Sequence, residues 1–125
     1  MNAVAEAYDQ GAEREWQRLA RDPYHTIEFQ VVMHHLQKHL PPSGRILDAG
    51  GGPGRYSIAL CKAGYDVTLL DISSGNINLA KEKLQPQPPK VRKRLSEFVV
   101  GDVRDLSRFG PGTFDAVLCL GGPLT

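Results

Sequence analysis

An apolar run, Arg45-Ile46-Leu47, enters Asp48-Ala49 and then breaks on Gly50-Gly51-Gly52-Pro53-Gly54. Beyond the break, Tyr56, Ile58, Ala59, Leu60 and Ala63 recur at helical spacing. A strand that passes through a glycine turn straight into a helix commits the chain to a βα unit, and so to an α/β sheet with crossover helices. Glycines at such a turn permit positive φ and bring backbone N–H groups close to a ligand with no Cβ in the way. The following helix start adds its own unpaired donors, so the turn is a candidate cradle for a nucleotide-type ligand.

The spacing narrows the ligand. The dinucleotide pattern G-x-G-x-x-G needs a glycine where this chain has Arg55. Gly50, Gly52 and Gly54 alternate instead as G-x-G-x-G, with Asp48 two residues ahead and Pro53 presetting φ near the helix start. The T-G-x-x-x-G-x-G turn of short-chain dehydrogenases is absent as well. Downstream, Asp66-Val67-Thr68-Leu69-Leu70-Asp71 reads as a buried strand that ends in a carboxylate seventeen positions after Gly54. Doubly wound folds place their acceptor for ribose hydroxyls there. A third apolar run, Phe98-Val99-Val100, leads into Gly101-Asp102-Val103, and a fourth spans Phe114 to Leu120.

Taken in this order, the four markers resemble the cofactor-binding part of the class I S-adenosylmethionine-dependent methyltransferases, and Ile46 to Gly54 looks like their motif I. The resemblance runs from about Arg45 to Gly122. It implies a Rossmann-like, doubly wound parallel sheet with strand order 3-2-1-4, preceded by two N-terminal helices, and S-adenosylmethionine as cofactor with S-adenosylhomocysteine as product. Carried over residue by residue, Gly50, Gly51 and Gly52 would line the methionine portion, and Asp48 would support that turn or the ligand's ammonium. Asp71, with Ile72 beside it, would bind ribose; Asp102 and Val103 would hold adenine; Leu120 and Gly121 would border the sulfonium. No general base is named. Amino-group methyltransferases acting on planar nitrogens often carry Asn or Asp, then Pro-Pro and an aromatic residue, after the fourth strand. Leu120-Gly121-Gly122-Pro123 departs from that pattern, so adenine-type N-methylation is not expected. A small-molecule acceptor of methyl on O, N, C or S is the expected substrate, with a macromolecule second. Two other readings stay open: a nicotinamide-dependent oxidoreductase, and a non-catalytic module that binds an adenosyl ligand.

With 125 residues, 41% hydrophobic and 23% charged, the chain has the length and composition of one soluble domain. Fifteen basic and 14 acidic residues leave a net charge of +1, too little to recruit nucleic acid or an anionic membrane by a global field. Apolar stretches are strand-sized, and Met1 to Glu6 lacks a basic, apolar leader pattern, which makes cytoplasmic residence the expectation. Cys61 and Cys119 read as buried reduced thiols.

Val4, Tyr8, Ala12, Trp16, Leu19 and Ala20 predict a helix over residues 5–21, stopped by Asp22-Pro23. A second helix follows, with Thr26 as a possible cap and Ile27, Val31, Leu36 and Leu40 as its apolar stripe, before Pro41-Pro42-Ser43-Gly44. Residues 1–44 thus form a helical cap and 45–125 the cofactor-binding domain; Tyr8 and Trp16 anchor the cap or touch the ligand. Ser73 or Ser74 caps the second crossover helix, whose apolar side is Ile77, Ala80 and Leu84. A short helical turn is expected between strands three and four. The basic run Lys90-Val91-Arg92-Lys93-Arg94 has no interleaved aromatic and reads as a solvated loop rather than a nucleic-acid contact. His35 and His39 lie one helical turn apart but lack grouped acidic or thiol ligands, so no metal site is expected. The fourth strand has no partner from this chain on its outer side. Either the chain is part of a longer enzyme, the favoured expectation, or two copies pair across that edge as a homodimer.

Overall fold

The computed structural model describes residues 23–119. The helix expected over residues 5–21, with Tyr8 and Trp16, lies outside the described residues, as do Leu120 and Gly121. The elements run α1 (Pro23–His39), β1 (Arg45–Ala49), α2 (Arg55–Lys62), β2 (Asp66–Asp71), α3 (Ser74–Leu84), α4 (Pro89–Arg92), β3 (Leu95–Val100) and β4 (Ala116–Leu118). All strand pairs are parallel, in the order β3-β2-β1-β4 expected of a Rossmann-like sheet.

Period-two alternation assigns each strand residue to a face. Ile46, Val67, Leu69, Leu95 and Leu118 pack against the helices through Met33, Ile58, Leu60, Cys61, Ile77, Ala80 and Leu84. Leu47, Ala49, Leu70 and Val99 face the other way, under Val103, Leu106, Phe109 and Phe114. Beyond its first residue each of β1 and β2 is buried throughout, as central strands covered on both faces must be. Leu60 is wholly buried. Leu60→Ala should destabilise the fold by about 2–5 kcal/mol, read as a lower urea midpoint at unchanged m.

Among the described residues α1 begins at Pro23, so Thr26, expected ahead of the helix, lies within it. The stripe also differs from expectation. Ile27 and Val31 are each 62% exposed, whereas Phe29, Met33, Leu36 and Leu40 meet the core. Both sets have helical spacing; the inward set has the aromatic that fits, Phe29 lying 4.9 Å from the Tyr56 ring centroid on α2.

Ser73 caps α3 by accepting a hydrogen bond from the Asn76 N–H at 3.0 Å. The prolines after α3 do not lead into a loop: Pro88 and Pro89 start α4. Its basic run is partly structural, since Arg92 donates to the Gln85 and Gln87 carbonyls at 3.1 Å each, and Arg94 to the Gly64 carbonyl at 2.9 Å. Between β3 and β4, where a short helical turn was expected, there are turns closed by the Asp105 N–H on the Asp102 carbonyl and the Phe109 N–H on the Leu106 carbonyl, and none extends into a helix because Asp102, Asp105 and Thr113 each bond locally and compete with helical pairing. β4 pairs only over Ala116–Leu118 and, among the described residues, only with β1. Cys61 is buried as expected; Cys119 is exposed, because it lies just past β4 with no neighbouring strand among the described residues. Among the described residues no helix is long and apolar enough to cross a membrane.

Candidate functional site

β1 and β2 run parallel in register, with Asp48 opposite Leu69 and Ala49 opposite Leu70, so both strands deliver a carboxylate to one edge of the sheet. The alternation puts Asp48 and Asp71 on the helical face, the side shared with Ile46, Val67 and Leu69. Gly50 continues the ladder, its N–H donating to the Leu70 carbonyl at 2.7 Å, and the chain then turns into α2.

The alternating glycines take alternating backbone states. Gly50, Gly52 and Gly54 have φ of 76°, 59° and 88°, in the left-handed region where a side chain is strained. Gly51 is needed for space instead: a Cβ there would lie 2.4 Å from a Leu69 methyl and 2.5 Å from Asp48 Oδ2. A Cβ at Gly52 would meet nothing within 4 Å, so this part of the turn borders open space.

Asp48 lies beneath the turn, 1% exposed. Ser57, in the first turn of α2, donates its hydroxyl to Oδ2 at 2.7 Å. Burial pushes the carboxyl up to about 6; the Ser57 hydrogen bond opposes this and the nearby Asp71 charge adds to it. Oδ1 is buried with no hydrogen-bond partner. Both oxygens of Asp71 are engaged by comparison: Oδ1 accepts from the Gly52 N–H, and Oδ2 from the Ser73 N–H and the Asn76 amide, each at 3.0 Å.

Asp48, Gly50, Gly51, Gly52 and Asp71 thus come together in one crevice, with the half-buried Ile72 following. The Gly101 N–H donates to the Asp71 carbonyl at 2.9 Å, which brings the segment after β3 alongside. Asp102 is there, but its carboxylate is held by its neighbour Arg104, through Nη2 at 2.6 Å and Nε at 3.0 and 3.1 Å, which lowers it to about 2. Val103 packs on the second core cluster. Sequence reasoning missed Ser57 and Asn76 as site residues. Asn76 stands four residues before Ala80 and eight before Leu84, on the buried stripe of α3, and a polar residue there was the available signal.

The residues fit an adenosyl sulfonium cofactor on two observations. Asp48 Oδ1 is a buried acceptor without a partner, and Gly52, in the turn above it, borders space in which even a Cβ would meet no atom within 4 Å. Arg55, which breaks the dinucleotide pattern, serves the scaffold: its guanidinium lies 4.2 Å over the Phe29 ring of α1. A groove of about 450 Å³ elsewhere draws its walls from the helices, including Met33, Ile58, Lys62 and Lys83, and not from the strand ends. The His35 and His39 rings lie 4.4 Å apart, and no metal-holding group of three His, Cys, Asp or Glu occurs among the described residues.

A family model described as a methyltransferase domain matches residues 46–125. The chain is 33% identical over 132 positions to the magnesium-protoporphyrin O-methyltransferase of Rhodobacter capsulatus, across 95% of this chain and 55% of that protein. Among solved structures it resembles the PH0226 protein of Pyrococcus horikoshii OT3, with a TM-score of 0.65 and 32% identity over 78% of this chain and 43% of the other. It also resembles the glycopeptide N-methyltransferase MtfA solved with sinefungin, with a TM-score of 0.56 and 26% identity over 67% and 33% of the two chains. The chain spans about half, or less, of the length of these relatives.

Proposed function

This chain belongs to the methyltransferase domain family, in its class I S-adenosylmethionine-dependent form, and on that premise we propose that it binds S-adenosylmethionine at the glycine turn and passes the methyl group to a small-molecule acceptor. The observation that carries the proposal is the convergence of Asp48, the open surface of Gly52 and Asp71 at one sheet edge. Relatives named for O- and N-methylation support a small acceptor in either chemistry.

When bound, the cofactor supplies a methyl group already activated on its sulfonium. What the protein adds is placement and exclusion of water, worth several kcal/mol of barrier when the reacting atoms are held in line. Asp48 faces the methionine end from beneath the turn, where its buried carboxylate favours an ammonium. Gly50, Gly51 and Gly52 would line the methionine portion beside the open space at Gly52, and Asp71 would accept from ribose. Asp102 and Val103 border the adenine in this reading; Arg104 then shares the Asp102 carboxylate with the ligand. Leu120 and Gly121, outside the described residues, are proposed to border the sulfonium.

The division into a cap over residues 1–44 and a cofactor domain over 45–125 belongs to the same proposal, with α1 packed directly into the core of the second. Cytoplasmic residence is part of it too, supported by Cys61, a buried thiol that burial pushes up to about 12. The side of β4 that has no partner strand among the described residues is proposed to take further sheet from a longer polypeptide in preference to a second copy of the chain.

S-adenosylhomocysteine at about a hundred times its Kd should stabilise the fold by roughly 2.7 kcal/mol, raising the melting temperature on the order of 10 °C. NAD should leave it unchanged. A shift with NAD and none with S-adenosylhomocysteine would overturn the assignment.

A further inference from the structure

We propose that Asn76 is a specificity-determining residue: it saturates one oxygen of Asp71, so the carboxylate meets its ligand through Oδ1 alone and grips one hydroxyl of a vicinal diol rather than both. The inference rests on the reading of Asp71 as the ribose acceptor.

A carboxylate oxygen accepts hydrogen bonds along two lone-pair directions. At Asp71 Oδ2 both are taken, by the Ser73 N–H and the Asn76 Nδ2–H at 3.0 Å each. At Oδ1 one is taken, by the Gly52 N–H at 3.0 Å, and one remains. Oδ1 is also the oxygen on the glycine-turn side, next to the residue whose missing Cβ faces open space. The carboxylate is therefore polarised by its surroundings: Oδ2 belongs to the start of α3 and Oδ1 to the crevice.

Of the two donors on Oδ2, Ser73 offers a backbone N–H that any residue would supply. The Asn76 contact depends on the side chain. Asn76 is 4% exposed, and its own N–H is held by Ser73 Oγ at 3.0 Å, so the residue that caps the helix also aims its amide at Asp71. The nitrogen must face Asp71, because an ionised carboxylate only accepts.

The test measures the affinity of S-adenosylhomocysteine and of its 2′-deoxy and 3′-deoxy analogues by calorimetry, for the wild-type chain, Asn76→Met and Asn76→Ala. The Met variant keeps bulk without a donor; the Ala variant stands in should Met disturb packing. In the wild type, loss of one hydroxyl should weaken binding by about 10- to 100-fold and loss of the other by less than about threefold. In both variants the second loss should rise to about tenfold, because without the Asn76 amide the carboxylate is free to rotate and bring Oδ2 toward the ligand. Equal losses in the wild type would overturn the proposal. So would variants that lower the ligand-free melting temperature and all three affinities together while their ratios stay fixed, which marks a purely structural role. Wild-type protein that binds none of the three overturns the underlying reading as well.

Discussion

Asp48→Asn should make the protein more stable above pH 6 and flatten the pH dependence of its stability. The Asp48 carboxyl titrates near 6 in the fold against an ordinary value of 3.8, chiefly because it is buried. The folded state therefore holds this proton more tightly than the unfolded chain. Its contribution is fully present below about pH 4 and is lost as pH rises through 6, by about 3 kcal/mol in all. Asparagine carries no charge at any of these pH values, and its carbonyl can still accept from Ser57 Oγ. Its amide N–H₂ meets the same partnerless space as Oδ1, which costs about 1–3 kcal/mol, so a net gain of about 1 kcal/mol at pH 8 is expected. Urea unfolding between pH 4.5 and 8 measures both curves. A wild type whose stability does not fall over that range would show that Asp48 is not the buried titrating group. The same variant should bind S-adenosylhomocysteine about tenfold more weakly, since the charge that burdens the fold is the one offered to the ligand's ammonium.

Asp71→Ala is expected to have the larger effect on binding. The carboxylate receives the Gly52 N–H, the Ser73 N–H and the Asn76 amide, and alanine would leave all three without their acceptor. With hydrogen bonds to a charged group worth about 1.5–3 kcal/mol each, partly regained from water at the loosened turn, a stability loss of at least about 3 kcal/mol is expected. The affinity for S-adenosylhomocysteine should fall by more than about a hundredfold, because both the hydroxyl acceptor and the anchor of Gly52 are gone. Titration at a temperature where the variant is folded separates the two losses. Retained affinity would remove the ribose role.

The parts of the site legible in the sequence are those that backbone geometry dictates. Gly50, Gly52 and Gly54 alternate in sequence, and all three take positive φ where the strand turns into the helix, a backbone state that glycine adopts without strain. Asp48 and Asp71 could be placed because one stands two residues ahead of the glycine turn and the other ends the next apolar strand, where doubly wound folds put a ribose acceptor. The α1 stripe was half legible: Leu36 and Leu40 meet the core as expected, and Ile27 and Val31 do not. Ile27-Val31 and Phe29-Met33 are equally periodic, and the choice fell to the ring of Tyr56 on another element. The bond between Asp102 and Arg104 was hidden for a different reason: two residues apart in a loop, they obey no period at all.

By itself the sequence determined the βα order, the parallel sheet, the crossover helices and the glycine turn with an acid at each neighbouring strand end, because these follow from local backbone preference and the alternation of apolar residues. Only the tertiary structure decided how each acid is used. It set Asp48 under the turn with one oxygen unmatched, and closed Oδ2 of Asp71 with Asn76 while leaving Oδ1 toward the crevice. Hydrogen-bond capacity at a buried carboxylate is filled by whichever donors the packing of separate elements brings within about 3 Å, and no reading along the chain contains that distance.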